Sequence, residues 1–357
     1  MNLNTVLTRL PYWYQAGMSI DLESAPGRGK STTIEAAPKV IGEKLSKNLG
    51  LVVTNGANLT VMDVVGYGVP KHQDNRTVMV FSDPFFAITT EGKHWSEYDG
   101  GILFVDERDK METDVKKILG EARLSGRFGP HKLPPGWLLW TAGNSSKHRS
   151  GSTKELDHEI NRTLKIHITD DLESWNDWAA KNGVSALTLA FANQNVHIVF
   201  TDGVPEKQGP WCTPRSLCAA DRYLQQFRDK DGFLPDDPTL VEEIQGIIGD
   251  GAAAQYFSFI RLEREMPKYS TIINDPDKAK FPEKPDAIML VCYNLAHRVK
   301  KEEAAAVIRY VERGPKEFAV TFAKAACGRD PSLVQTPAFG KWAMQNSSLM
   351  AAIQKAA

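Results

Sequence analysis

The residues of this chain best suited to chemistry lie in one loop, Ser24-Ala25-Pro26-Gly27-Arg28-Gly29-Lys30-Ser31-Thr32, set between an apolar alternation (Met18, Ile20, Leu22) and a segment of helical character. Such a loop turns its backbone N–H groups inward onto a di- or triphosphate, while the lysine reaches the β- and γ-phosphates and the serine hydroxyl ligates magnesium. Gly27, Gly29, Lys30 and Ser31 fall in register with G-x-x-x-x-G-K-[ST], and Ser24 stands where that pattern has its first glycine. The plainer reading of the same residues is a Gly/Pro turn ahead of a helix with an exposed lysine.

A second chemical signal follows downstream. Gly100-Gly101-Ile102-Leu103-Phe104-Val105-Asp106-Glu107 is an apolar run ending in two acids, the pattern of a strand buried on both faces. Beside a phosphate loop the first acid is placed to hold hydrated magnesium, and the second to orient an attacking water. Leu138-Leu139-Trp140 reads as another buried strand and runs into Thr141-Ala142-Gly143-Asn144. The Asn144 amide then either helps position the water or simply makes a turn. Arg162 precedes an alternating strand (Leu164, Ile166, Ile168), and Arg215 stands at a helix entrance behind Thr213 as N-cap and Pro214 at the first helical position.

Positioning these groups calls for an α/β scaffold. Leu3, Val6, Leu7 and Leu10 recur at helical spacing, with Pro11 expected to end or kink that helix. A helix is expected from Lys30 to about Leu49, and strands at Leu51-Val52-Val53 and Val78-Met79-Val80-Phe81. Gly66 to Arg76, rich in turn formers and charges, reads as a loop or short insertion. Phe85, Phe86, Trp95 and Tyr98 either pack under the next loop or present aromatic faces to a polypeptide or to bases. Met111, Val115, Ile118, Leu119 and Ala122 give one apolar helical face that stops near Gly126. From Asp170, expected to cap a helix whose Trp175 and Trp178 enter the core, the pattern turns all-helical. Residues 229–238 read as a charged linker, helices are expected at about 239–248 and 251–266, and the Pro-rich segment 267–285 reads as a boundary. The domains expected are 1–169, 170–268 and 269–357, the last with three or so helices broken at Gly314-Pro315, Asp330-Pro331 and Pro337.

With 357 residues, 42% of them hydrophobic, the chain has room for one large or two to three smaller domains and a substantial core. Lys+Arg 43 against Asp+Glu 44 leaves a formal charge of -1, so no global basic field draws nucleic acid or an anionic membrane, although a local patch is allowed. Cys212, Cys218, Cys292 and Cys327 form no C-x-x-C pair, which fits buried thiols in a reduced cytoplasmic protein better than a zinc or disulfide framework. No signal segment and no membrane-spanning run is expected from the sequence.

Taken in order, these markers resemble those of AAA+ ATPases over residues 1 to about 225, and more narrowly the MoxR-type branch of bacteria and phages. The resemblance implies a phosphate-loop, three-layer αβα core with an all-helical lid, here followed by a helical C-terminal extension. Lys30 and Ser31 match the Walker A lysine and magnesium serine, within a loop Ala25, Pro26, Gly27, Arg28, Gly29 and Thr32 that would line ATP. Asp106 and Glu107 match the Walker B pair, Asn144 the first sensor, and Arg215 the second. Arg162 matches the arginine presented to a neighbouring subunit's nucleotide, with Arg149 as its competitor, and Gly126 to Trp137 resembles the family's hairpin before the sensor strand. The cofactors implied are ATP and Mg2+. The activity implied is ATP hydrolysis by a homo-oligomer, expected to be a hexamer, remodelling a protein substrate with a von Willebrand A-like partner. The alternative is an AAA+ nucleic-acid motor or helicase loader, against which the neutral charge and the lack of an added nucleic-acid module weigh.

Overall fold

In this computed structural model, residues 1–144, 163–169, 171–201, 205, 208–230, 233–235 and 237–347 are described. They divide into two compact units, one of Met1–Asp170 and one taking in Asp171–Thr201 and Pro205–Ala357.

The first unit is built on five parallel strands: β1 (Ile20–Ser24), β2 (Leu49–Asn55), β5 (Gly100–Asp106), β8 (Trp137–Asn144) and β9 (Leu164–His167), in the order β2-β5-β8-β1-β9. Parallel strands need crossover connections and cover on both faces. On one face α1 (Leu3–Gln15), α2 (Lys30–Glu35) and α3 (Ala37–Leu45) pack Val6, Leu10, Ile34 and Ile41 on Ile20, Leu22, Phe104, Trp140 and Ala142. On the other, α4 (Val61–Val65) and α5 (Thr113–Ser125) pack Val64, Val115, Leu119 and Ala122 on Val52, Leu103, Val105 and Leu139. This is the αβα sandwich anticipated from the sequence.

Several local expectations need correction. Helix α1 continues through Pro11 to Gln15, with Pro11 buried along with Val6, Leu10 and Tyr14, and burial of the helix outweighs a lost backbone bond. The expected helix from Lys30 is two, divided at Ala36. Gly66 to Arg76 is the short insertion of the two alternatives, not a loop, and Val78–Phe81 is no strand of the main sheet. They form an antiparallel hairpin, β3 (Gly68–Gln73) with β4 (Arg76–Phe81), turning at Asp74 and Asn75, both with positive φ. Every residue of both strands is exposed. A second hairpin, β6 (Arg127–Phe128) with β7 (His131–Lys132), leads into β8. Phe86 and Trp95 are buried and pack edge-to-face, whereas Phe85 is exposed.

The second unit is helical. Its described helices are α6 (Leu172–Lys181), α7 (Ala186–Gln194), α8 (Val196–Val199), α9 (Pro214–Leu224), α10 (Pro238–Ile248), α11 (Asp250–Glu265), α12 (Tyr269–Asn274), α13 (Pro285–Arg298), α14 (Ala304–Val311), α15 (Lys316–Arg329) and α16 (Pro337–Gln345). Asp171 caps α6, in place of Asp170, which lies outside the described residues, and Trp178 is exposed rather than core. Two apolar clusters organise the unit, one around Phe191, Tyr256 and Ile260, the other around Val307, Phe322 and Trp342. Helix α13 serves both, Leu290 and Tyr293 facing the first and Val291 and Leu295 the second. Asp221 of α9, 1% exposed, accepts from Ser185 N (3.0 Å), Thr188 Oγ1 (2.7 Å) and Gln225 Nε2 (3.0 Å), locking α7 onto α9. Among the described residues no helix is long and apolar enough to cross a membrane.

Candidate functional site

Three adjacent strands, β5, β8 and β1, end together, and in open parallel sheets ligands sit outside those carboxyl ends. Ser24 at the end of β1 is level with Asn144 at the end of β8, and Asp106 ends β5 level with Asn55 of β2. The alternation that puts Ile20, Leu22, Phe104 and Ala142 into the helical layer thus delivers Ser24, Asp106 and Asn144 to one edge.

From Ser24 the chain turns through Gly27 (φ 75°) and Gly29 (φ 79°), left-handed positions that only glycine adopts without strain, and enters α2 at Lys30. Lys30 is buried at 8% exposure. Its Nζ donates to Ser24 Oγ at 3.0 Å and to the carbonyls of Ser24 and Ala25 at 3.3 Å each, and lies 3.4 Å from Asn144 Oδ1. The serine replacing the pattern's first glycine is therefore a lysine ligand, a role its position alone does not disclose. Ser31 Oγ donates to Asp106 Oδ2 in a short bond, while Asp106 Oδ1 accepts the Glu107 N–H at 2.8 Å. The Arg28 side chain is buried and Thr32 is exposed.

Glu107 lies in the left-handed region (φ 52°, ψ 39°), which costs a non-glycine residue roughly 1–2 kcal/mol. Its carboxylate, 35% exposed, pairs with Lys110 at 3.1 Å. The following residues form a short 3-10 turn, Arg108–Lys110, whose first two side chains are buried. Arg108, 3% exposed, places Nε 2.9 Å from Asp21 Oδ1 and Nη2 3.1 Å from Glu23 Oε1, and Asp109, also 3% exposed, accepts the Asn144 N–H at 3.0 Å. Thr141 Oγ1 donates to Asp21 at 2.7 Å and accepts from Arg123 Nη2 at 2.8 Å. The apolar alternation of β1 hid Asp21 and Glu23, whose position on a fully buried strand demands a buried cation nearby.

The residues present fit a polyphosphate with a hard divalent cation. The glycine turns form a cradle, Lys30 supplies positive charge at its floor, and the Ser31 hydroxyl with Asp106 offers oxygen donors of the kind Mg2+ takes. Among the described residues no group of three or more His, Cys, Asp or Glu is placed to hold a metal ion. Mg2+ needs none, being held through one or two carboxylates together with phosphate and water.

The structure brings together Lys30, Ser31, Asp106, Glu107 and Asn144 with the loop 25–32. Arg162 and Arg149 lie outside the described residues. Arg215 belongs to the second unit, exposed on the first turn of α9, which is capped by Thr213 through Ser216 N at 3.1 Å.

No protein-family model matches this chain, and no curated protein matches it. Solved structures similar to it include a point mutant of RuvB from Thermotoga maritima, at 12% identity over 76% of this chain and 74% of that one, with a TM-score of 0.37. NtrX from Brucella abortus in complex with ADP is similar at 14% identity over 97% of this chain and 68% of that one, with a TM-score of 0.39.

Proposed function

We propose that this chain is an ATP-hydrolysing AAA+ motor of the MoxR type. The observation that supports it is the meeting of Lys30, the Ser31–Asp106 pair and Asn144 at the ends of β1, β5 and β8, with Glu107 immediately beyond. In this reading Lys30 binds the β- and γ-phosphates, and Ser31 with Asp106 holds the metal. Bound magnesium supplies neutralisation of charge on the phosphate oxygens. Glu107 orients the attacking water and takes its proton, and the Asn144 amide holds that water or the γ-phosphate. Confinement of Lys30 below the loop lowers the effective dielectric around it, so its charge acts on phosphate more strongly than a surface lysine would.

The reading extends to a homo-oligomer, a hexamer, in which Arg162 completes a neighbour's site and Arg215 acts as second sensor. Its output is the remodelling of a protein substrate with a von Willebrand A-like partner, and the free thiols of Cys212, Cys218, Cys292 and Cys327 suit a reducing cytoplasm. Mixing tests the shared site. Lys30→Ala and Arg162→Ala proteins should each be nearly inactive, and an equimolar mixture should recover part of the rate, since a trans arginine contributes on the order of 10³ to 10⁵ in phosphate-loop enzymes. A rate per subunit independent of concentration, with no recovery on mixing, would reject Arg162 as the shared residue.

A further inference from the structure

We propose that Arg108 is a positioning residue for Glu107, holding it through a buried bracket of Asp21, Glu23, Asp109 and the tip of β8; the proposal rests on the hydrolytic role of Glu107. A left-handed non-glycine residue persists where its surroundings over-determine it. The Glu107 carboxylate reaches a partly exposed lysine, a pairing too weak to impose a backbone conformation. The fixed groups are the next two residues.

Arg108 forks between two carboxylates of β1, Asp21 at 2.9 Å and Glu23 at 3.1 Å, all three side chains at most 6% exposed. A planar guanidinium spans both acids, which a lysine ammonium cannot do in the same geometry. Glu23 is further enclosed by Lys165 Nζ at 3.6 Å and His167 Nδ1 at 3.3 Å from β9, and Asp21 by Thr141 of β8. Asp109 then takes the backbone N–H of Asn144 at 3.0 Å. The turn is closed by Lys110 N on Glu107 O (2.9 Å) and Met111 N on Arg108 O (3.3 Å).

Two buried side chains after Glu107 therefore tie the end of β5 to the strand entering the phosphate loop and to the strand ending in Asn144. Glu107, Lys30 and Asn144 are held in one frame. Gly143 leaves the room for it, since a Cβ there would come within 2.9 Å of Asp109 Oδ1.

The test uses Arg108→Gln and Arg108→Lys, each alone and with Glu107→Gln. Three quantities are read: amide exchange at Lys110, Met111 and Asn144 in the nucleotide-free protein, binding of a fluorescent ATP analogue, and single-turnover ATP hydrolysis. Arg108→Gln should accelerate exchange at those amides by about 10-fold or more while the rest of the sheet keeps its protection. Analogue affinity should stay within about 3-fold and hydrolysis should fall by roughly 100-fold, the cost of misplacing a reacting group by about 1 Å. In the Glu107→Gln background Arg108→Gln should add at most a few-fold further loss, the share carried by Asn144, because it acts mainly through Glu107. Arg108→Lys, which keeps the buried charge, should fall between, and it carries the test if Arg108→Gln does not fold. Unchanged exchange, an undiminished rate, or the same fold-loss in both backgrounds would overturn the proposal. A wild-type protein that hydrolyses no ATP would overturn the hydrolytic reading instead, and the exchange measurement would still decide whether Arg108 holds the turn.

Discussion

Replacing Gly143 by alanine adds one methyl group to β8, in extended backbone that tolerates alanine, so its effect comes from the space it enters. The new Cβ would lie 2.9 Å from Asp109 Oδ1, 3.5 Å from Asp109 N and 3.7 Å from Arg108 Nη2. The first contact is shorter than carbon and oxygen tolerate, and both neighbours are buried and tied, Asp109 to Asn144 N and Arg108 to Asp21 and Glu23. Overpacking of this kind costs about 1–3 kcal/mol. For a unit of this size that is ~2–12 °C in Tm, with the upper end reached if Asp109 is driven off the Asn144 N–H. Calorimetry should show the drop in the transition of the first unit, and hydrolysis should fall with it as Asn144 and Glu107 lose their common support. Gly246→Ala is the control. Gly246 lies in α10 with open space around its Cβ position, and alanine there should stabilise by about 0.5–1 kcal/mol. Equal stability and activity of Gly143→Ala and wild type would refute the bracket's rigidity.

Other outcomes follow from the same structure. Lys30→Ala should abolish binding of a fluorescent ATP analogue measured by titration, whereas Ser24→Gly should weaken it by less than about 10-fold, because two carbonyls and Asn144 still hold the ammonium. Asp221→Ala leaves Ser185 N and Thr188 Oγ1 without their buried acceptor and should cost about 2–4 kcal/mol in denaturant unfolding of the second unit. Burial, with Arg329 nearby, holds the His297 imidazole below its usual 6.5. The unfolded chain then binds the extra proton more readily than the folded one, so stability is full above pH 6.5 and is lost as pH falls through the range between 6.5 and the lower folded value. His297→Gln should flatten that slope in urea titrations at about pH 5 to 7, the range bracketing an ordinary histidine. Burial pushes the Cys292 thiol up to about 12, so iodoacetamide at a pH of about 8 should leave it unmodified until the helical unit unfolds.

Much of the α/β unit was legible because its signals are local. The apolar run Gly100–Val105 and the glycine turns before Lys30 each declare themselves within a few residues, as does the Thr213-Pro214 helix start in the second unit, and the structure has strand, turn and cap there. Val78–Phe81 misled for the converse reason, since an apolar run specifies a strand but not which partner it takes, and here the partner is β3 across a two-residue turn. Pro11 and Trp178 show tertiary context overriding type: one is kept inside a helix by its burial, the other left exposed. In the site, Lys30, Ser31, Asp106, Glu107 and Asn144 carry pattern-defined spacings. The bracket does not, because Asp21 and Arg108 lie far apart in the chain and meet only through the strand order β5-β8-β1. A central strand carrying two acids, buried along its whole length, is the feature from which a buried cation could have been inferred.

The central claim is tested most directly by phosphate release from ATP in Mg2+, measured side by side with ATP-analogue binding for wild type and Glu107→Gln. The account predicts that wild type binds and hydrolyses, while Glu107→Gln binds with affinity within about 3-fold of wild type and hydrolyses at least ~100-fold more slowly. Wild-type protein that binds no nucleotide, or a Glu107→Gln variant that hydrolyses as fast as wild type, would contradict it.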